Sequence, residues 1–415
     1  MLAVPPSPRH RRHDLRRGPF SGPHAPLTVF LVLFLALAGC GDDDSAAAES
    51  GSAAADASAT SSADFPSEPT LLPGPEAFAE RGPHRVVDLR FDLTDPERTL
   101  PDPNGGGEPV PRVLPVRVWH TTAETPPGPL IVWAHGLGST NLDNPRLANS
   151  LASRGWVVAK PNFPRTTRTA PVTDVTDVVN QPGDLSLLID HMIERNADPD
   201  DPLHGRFDPG RIAVGGVSLG GATALLTAWT PEFRDPRIGA VVSLGPPACY
   251  LPRPLFPGEP LPMLVMHGDA DAIVSWESHG ERPFADAPAP SLLLRLRDGS
   301  HTAFADTIAD LFANFDQPDE LGCATIGRSI PLDDLGSLAE SIGGPDAATV
   351  NAECAAPCSG DELERVTMRP PRQANLVLYA VVTFLEGVFE DGPSLASLGM
   401  TLDAEEDVDA RTVLP

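Results

Sequence analysis

The stretch RIAVGGVSLGGATALLTA, residues 211–228, decides the fold. An apolar run leads into the pentapeptide GVSLG at 216–220, and a run of helix-forming residues follows it directly. A serine at a sharp turn from strand to helix takes a strained backbone conformation, and small neighbours leave room for it. Such a turn lifts the hydroxyl of Ser218 above the edge of a sheet. The stretch therefore predicts a strand, a turn that presents a serine, and a helix.

Short β-rich runs alternate with helical patterns around this stretch, which predicts a mostly parallel central sheet with helices on both faces. The run 130–134 is apolar throughout, as in a central strand. The runs 86–93 and 113–119 alternate apolar and polar residues and predict half-exposed strands. The remaining predicted elements are strands over 156–159, 211–215, 238–244, 263–267 and 292–296 and helices over 146–153, 183–195, 219–228 and 373–389.

The hydroxyl of Ser218 needs two partners before it can act as a nucleophile. A base must remove its proton, and a carboxylate must orient that base. Asp271 and His301 each follow a predicted strand, so both lie on loops at the edge of the sheet where Ser218 is presented. The pattern predicts Ser218 as nucleophile, His301 as general base and Asp271 as the orienting acid.

Two neighbouring residues are alternatives to these assignments. His267 is a second candidate base, but it ends an apolar strand, where a histidine more often packs or caps. Asp269 is a second candidate acid, but it directly follows Gly268, where a short polar side chain shapes a turn by bonding its own backbone. His191 and His279 fall in helical patterns and are predicted to lie at the surface.

Two backbone amides are predicted to stabilise a developing oxyanion, because the positions of main-chain donors are fixed. One is the N–H of Leu219, directly after the nucleophile. The other is the N–H of Leu137, in the loop HGLG at 135–138 that follows the strand 130–134. A simple glycine turn is the alternative interpretation of this loop.

Three motifs give the sequence a more specific resemblance: HGLG at 135–138, GVSLGG at 216–221, and His301 with Phe304 and Asp306. They are similar to the platelet-activating-factor acetylhydrolase and dienelactone-hydrolase-like esterases. The likeness spans about residues 112–306. It implies the α/β-hydrolase fold and the hydrolysis of carboxylic esters through an acyl-enzyme.

The sequence departs from that clan at several positions. Val217 stands where a histidine usually precedes the nucleophile, and Ser218 stands where the dienelactone hydrolases have cysteine. A dienelactone substrate is therefore disfavoured. Polyester-degrading relatives usually carry an aromatic residue and a methionine where this chain has Leu137 and Leu219, which disfavours a polyester substrate as well.

Charge and residue usage exclude several other functions. The formal net charge is −27, and binding nucleic acid requires a basic surface, so nucleic acid is not a predicted partner. Lys160 is the only lysine, which leaves one candidate for Schiff-base chemistry. Neither a metal site nor a cofactor is predicted. The pair Cys354 and Cys358 is more typical of a disulfide than of a zinc site in an exported chain. The acidic run 42–44 is more typical of solvated charges in a tether than of a cation site.

The first 39 residues are typical of an export signal. Five arginines precede the apolar run 27–38, whose 12 residues are too few to span a bilayer. The run closes on Leu37-Ala38-Gly39-Cys40, which resembles the lipobox of bacterial lipoproteins and implies a mature chain lipidated at Cys40. We expect an exported lipoprotein anchored in the membrane of the cell envelope. An ordinary signal peptide is the alternative.

Composition also predicts the domain boundaries. Residues 40–80 are rich in Ser, Ala and acidic residues, as in a flexible tether. A hydrolase domain follows over 81–400, with an irregular insertion at 317–371 before the last helix, and 401–415 is predicted to be an acidic tail.

Four cysteines besides Cys40 permit two disulfides in an exported protein. Cys354 and Cys358 are predicted to form a local bridge, because they are four residues apart in a Pro-containing loop. Cys249 and Cys323 are the predicted second pair.

Other functions remain open on this sequence. A peptidase or lipase on the same fold is one alternative, and a catalytically silent lipoprotein that binds in the envelope is another. The expected substrate is a small-molecule or lipid ester. Its identity depends on pocket walls from loops such as 163–176 and from the insertion.

Overall fold

A nine-stranded sheet forms the centre of the protein. The computed structural model describes residues 68–102, 106–329 and 335–415, which fall in the unit Phe65–Pro415. The strands are β1 (Val86–Leu100), β2 (Val110–Thr121), β3 (Gly128–Ala134), β4 (Val157–Pro161), β5 (Phe207–Val217), β6 (Ile238–Leu244), β7 (Met263–Gly268), β8 (Ser291–Leu296) and β9 (Val408–Val413).

The strand order is β1-β2-β4-β3-β5-β6-β7-β8-β9. Strands β3 to β8 are parallel to one another, whereas β1, β2 and β9 pair antiparallel at the two edges. The central strands are apolar and buried because both faces of the sheet are covered. The carboxyl ends of β3, β5, β7 and β8 therefore meet at one edge, where the loops that follow them come together.

Helices cover both faces of the sheet, as the sequence predicts. They are α1 (Pro145–Ala152), α2 (Gln181–Ala197), α3 (Leu219–Trp229), α4 (Asp319–Ser329), α5 (Leu335–Ser341), α6 (Ala347–Glu353), α7 (Pro370–Phe389) and α8 (Leu395–Asp403). The apolar faces of α2 and α3 pack into one core, and those of α1, α7 and α8 pack into the other. None of the helices in the described ranges is long and apolar enough to cross a bilayer.

The predicted end of the flexible tether, at residue 80, lies too far along the chain. The N–H of Leu72 donates to Oγ1 of Thr401 at 2.9 Å, and the ring of Phe78 meets the ring of Tyr379 edge-on at 5.5 Å between centroids. The chain is therefore packed against α7 and α8 well before residue 80, because its apolar side chains contact these two helices. Residues 1–67, including the predicted signal peptide and Cys40, lie outside the described residues.

The predicted acidic tail over 401–415 is wrong. Residues 401–403 complete α8, and β9 pairs with β8 in the register Leu294 to Ala410 and Leu296 to Val408. Acidic residues are frequent in this segment, but Val408 is buried and Ala410 packs on the core of α7 and α8. Every second residue, Val408 and Ala410, thus packs on the core, which allows the segment to close the edge of the sheet.

The predicted disulfide pairs are also wrong. The bridges join Cys249 to Cys354 and Cys323 to Cys358. Cys354 ends α6 and faces Cys249, in the 3₁₀ turn after β6. The chain then turns away, and Cys358 takes a φ of 61° while its N–H donates to the carbonyl of Ala272 at 2.7 Å. The insertion 317–371, which carries α4, α5 and α6, is thus linked to two different loops of the sheet.

Candidate active site

Ser218 occupies the turn between β5 and α3. Its backbone has φ 56° and ψ −122°, a conformation that costs an L-residue about 1–3 kcal/mol. Its N–H donates to the carbonyl of Leu244 at 2.7 Å, which ties the turn to β6. A Cβ on Gly216 would lie 2.4 Å from the carbonyl carbon of Gly220, and one on Gly220 would lie 2.2 Å from the carbonyl oxygen of Ala134. The glycines are thus required by the close approach of three backbone segments.

The structure brings Asp271 and His301 together. Oδ2 of Asp271 lies 2.6 Å from Nδ1 of His301, and the carboxylate is fully buried. The other carboxylate oxygen accepts the N–H groups of Ile273 at 3.0 Å and Val274 at 2.7 Å. The backbone of its own loop therefore fixes which oxygen of Asp271 faces the imidazole.

The environment of His301 favours its protonated form. Burial alone lowers the pKa of this histidine, but the charge and hydrogen bond of Asp271 and the charge of Asp319 outweigh burial, so the pKa is raised. A base with this environment stabilises an imidazolium as a proton arrives.

The two alternative residues lie elsewhere. Nε2 of His267 lies 2.7 Å from the carbonyl of Val274 and 3.6 Å from Oδ2 of Asp271, so the fully buried His267 supports the loop that carries Asp271. The carboxylate of Asp269 binds Arg295 at 2.7 Å and Arg365 at 2.9 Å. Asp269 therefore forms ion pairs with two arginines, while Asp271 faces the histidine.

The loop 135–138 is held by its histidine. Nε2 of His135 accepts the N–H of Phe163 at 3.1 Å, so Nδ1 donates to the carbonyl of Gly136 at 2.8 Å. Burial lowers the pKa of His135 to about 4, which keeps the ring neutral for this pair of bonds. The N–H of Gly138 donates to the carbonyl of Thr166 at 2.8 Å. The backbone around Leu137 is therefore anchored on both sides.

Ser218 lies at the junction of two cavities. The larger one, about 400 Å³, is lined by Ser218, His301, Leu137 and Arg168, together with residues of α4. The smaller one, about 60 Å³, is almost entirely apolar. It is lined by Leu137, Val175, Ser218, Leu219, Pro247, Tyr250, Ile273, Val274, His279, Ile326, Leu335, Leu338 and Pro357. Both leucines that the sequence predicts as oxyanion donors thus lie beside Ser218.

Two side chains at this site differ from the sequence-based expectation. His279 is buried, not exposed, and its Nδ1 accepts the N–H of Cys249 at 3.1 Å, while burial lowers its pKa to about 3. Asp319, which no sequence motif singles out, lies fully buried against the loops of Asp271 and His301. It belongs to the insertion, where composition predicts irregular chain and gives no signal for such a residue.

Lys160 makes a structural contact. It is buried at the end of β4, and its Nζ donates to the carbonyl of Asp143. Burial lowers the pKa of Lys160 to about 8. Among the residues that the structure describes, no three His, Cys, Asp or Glu side chains are grouped so that they could hold a metal ion.

Comparisons with known proteins address the fold. A solved ferulic acid esterase from Streptomyces cinnamoneus superposes with a TM-score of 0.52, covers 80% of this chain and 99% of its own, and is 19% identical. The chain has the α/β-hydrolase fold. In this fold the loops at the carboxyl ends of the strands carry the reacting groups, which is where Ser218, Asp271 and His301 lie.

Sequence comparisons are more limited. No protein-family model matches the chain. The uncharacterized protein YfhR of Escherichia coli O157:H7 and that of strain K12 are each 27% identical over an alignment of 124 residues that covers 25% of this chain and 43% of the relative. The chain thus spans less than half the length of the curated relatives it matches.

Proposed function

We propose that the protein is a serine hydrolase that cleaves carboxylic esters through an acyl-enzyme on Ser218. The observation that carries the proposal is the 2.6 Å contact between Oδ2 of Asp271 and Nδ1 of His301, whose ring lines the same cavity as a serine with a strained backbone. The α/β-hydrolase fold supports it, because the fold places a nucleophile at this turn. The resemblance to acetylhydrolase-like esterases supports it too.

The reaction follows from these positions. His301 takes the proton of the Ser218 hydroxyl on Nε2 while Oγ attacks the ester carbonyl. The amides of Leu137 and Leu219 donate to the oxyanion that forms. When the tetrahedral intermediate collapses, His301 returns the proton to the departing alcohol, and an acyl group remains on Oγ. A water molecule then attacks the acyl group in the same way, with His301 taking its proton and returning it to Oγ of Ser218. The carboxylic acid product is released.

The two cavities suggest how an ester would bind. The apolar pocket of about 60 Å³ suits a short apolar acyl group, and the larger cavity suits the rest of a small-molecule or lipid ester. Rates on esters of increasing acyl length test this arrangement. We expect turnover to fall steeply once the acyl chain exceeds the small pocket, and equal rates on short and long chains contradict it.

Covalent labelling tests the proposed chemistry. A fluorophosphonate should label the wild-type protein once, on the peptide that contains Ser218, and Ser218→Ala should abolish both labelling and hydrolysis of an activated ester. Ser359→Ala, at an exposed serine of the insertion, is the matched control and should behave as wild type. An unlabelled wild-type protein, or a Ser218→Ala variant with wild-type rates, contradicts the proposal and favours a silent binding protein. Faster cleavage of a peptide amide than of the matching ester favours a peptidase.

We also propose that the protein is exported and anchored in the membrane of the cell envelope through a lipid on Cys40. The lipobox resemblance and the apolar run before it support this proposal. Cys40→Ser should release the protein into the soluble fraction, with the wild type retained on membranes after high-salt washing as control. A variant that still sediments with membranes contradicts the lipid anchor.

A further inference from the structure

Asp319 is a buried carboxylate that the reaction above does not use. It is the first residue of α4, in the insertion, and its side chain is fully buried. Its own N–H donates to Oε1 of Gln317 at 3.1 Å, and Nε2 of Gln317 donates to the carbonyl of Glu362 at 2.7 Å. The carboxylate is therefore held in place by its own segment. Burying a charge is costly, so its contacts need an explanation.

The carboxylate of Asp319 accepts three backbone N–H groups. Oδ2 accepts those of Ala272 at 3.1 Å and His301 at 2.9 Å, and Oδ1 accepts that of Thr302 at 2.7 Å. Ala272 directly follows Asp271, so these donors belong to the loops that carry the acid and the base. One side chain thus bridges the loop after β7 and the loop after β8.

This bridge is well placed to set the distance between the acid and the base. The 2.6 Å contact of Asp271 with His301 needs the two loops at a fixed separation. Other bonds join the same loops, from the N–H of Ala270 to the carbonyl of Gly299 at 3.0 Å and from the N–H of Asp298 to Oδ1 of Asp269 at 2.8 Å. Asp319 adds bonds to His301 itself and to the residue that follows Asp271. A second link holds the same point, because the carbonyl of Ala272 accepts the N–H of Cys358, whose disulfide partner Cys323 lies one helical turn after Asp319. The insertion therefore binds the loop after β7 through both the N–H and the carbonyl of Ala272.

Asp319 also acts on His301 through its charge. The groups that face this imidazole are Asp271 from the loop after β7, Asp319 from α4 and, farther off, His267 of β7. The charge of Asp319 raises the pKa of His301, while burial first and then the charge of Asp271 raise that of Asp319 itself. Three N–H donors favour the ionised carboxylate in spite of that cost.

We infer that Asp319 is a positioning residue of the ester-hydrolase site: its carboxylate locks the acid loop to the base loop and adds a second negative charge near the base. This inference rests on the proposed function. It gives the insertion a direct part in turnover, since the residue that spaces the acid and the base comes from outside the sheet and its strand-end loops.

Substitution at position 319 tests the inference. Asp319→Asn keeps the size of the side chain but loses the charge and turns one acceptor into a donor that faces a backbone N–H. We expect kcat to fall about 10- to 100-fold with KM little changed, since a small displacement of a reacting group has an effect of this order. The rising limb of the profile of kcat/KM against pH should move to lower pH. Glu320→Gln, at the exposed neighbouring residue, is the matched control and should leave both unchanged.

The conservative variant separates charge from shape. Asp319→Glu should lower kcat, because its carboxylate lies one methylene farther along, while the limb of the pH profile stays at the wild-type position. If Asp319→Asn lacks a cooperative unfolding transition, Asp319→Glu decides: a reduced kcat at constant KM supports the inference, and wild-type values overturn it.

Ser218→Ala shows which proposal fails. If Ser218→Ala abolishes turnover while Asp319→Asn keeps wild-type kcat and pH profile, the positioning role is overturned and the ester hydrolase stands. If Ser218→Ala keeps wild-type turnover, the proposed function itself is overturned.

Discussion

The choice between two carboxylates gives the sharpest test of the site. Asp271 and Asp269 are two residues apart, and both are largely buried. The structure gives them different partners: Asp271 faces the imidazole of His301, and Asp269 faces the guanidinium groups of Arg295 and Arg365. Replacing each in turn by asparagine removes the same charge from two points on one loop. Only the change at position 271 should alter the proton transfer by His301.

The size of the loss at 271 follows from the hydrogen bonds of that side chain. In Asp271→Asn, the remaining oxygen stays with the N–H groups of Ile273 and Val274, so the new NH₂ group points at Nδ1 of His301. Nδ1 must then accept, and the proton moves to Nε2, where it blocks removal of the serine proton. A wrong tautomer of this kind costs about 10⁴-fold in kcat, which is about 5 kcal/mol of transition-state stabilisation.

The expected loss at 269 is smaller. Arg295 and Arg365 are 43% and 39% exposed, so water solvates the two guanidinium groups that lose their partner in Asp269→Asn. We expect less than about a tenfold change in kcat, because the contact between acid and base is untouched. Both variants are assayed on one activated ester at saturating substrate, with thermal unfolding as the control for folding. A larger loss at 269 than at 271 refutes the assignment of the acid.

Three further predictions concern titration, stability and cross-linking. The kcat/KM of the wild type should rise with pH through a midpoint above 6.5, because the carboxylates around His301 outweigh burial and hold its pKa up, and a midpoint below that value in a pH series contradicts the electrostatics. Arg112→Met should lower the free energy of unfolding by about 3 to 5 kcal/mol in denaturant titrations, because this buried guanidinium binds two aspartates within 3 Å. Arg117→Met, whose ion pair with Asp88 is partly exposed, should cost under about 1 kcal/mol, and equal effects refute the argument. Peptide mapping of the unreduced protein should find Cys354 linked to Cys249 and not to Cys358.

The sequence predicted the central elements well because their signals are local. The apolar run 130–134 lies within β3, and the bounds predicted for β6 are those observed, Ile238–Leu244. The glycines around Ser218 carry steric information in a short window, so the turn and its position at the sheet edge were predictable. Asp271 and His301 follow their strands, and strand order then brings them together.

The elements that the sequence missed depend on contacts between distant segments. Cys354 and Cys358 are close in sequence, but the direction of each side chain depends on where α6 packs, and no local pattern encodes that. The burial of His279 has the same cause, since its neighbour Cys249 comes from the loop after β6. Asp319 carries no motif because its partners are main-chain N–H groups, which every sequence supplies.

The disulfides also have a consequence for how the sequence of this protein can vary. Each of Cys323 and Cys354 is bonded to a point outside the stretch between them, so that stretch is fixed at both ends. Within it, Ile326, Leu335 and Leu338 line the apolar pocket beside Ser218. Selection can exchange side chains there and change which molecules fit the pocket, while the segments that carry Ser218, Asp271 and His301 keep their sequence. The stretch between Cys323 and Cys354 is in this sense an exchangeable segment, and libraries confined to it change the walls of the pocket while they leave Asp319 in place.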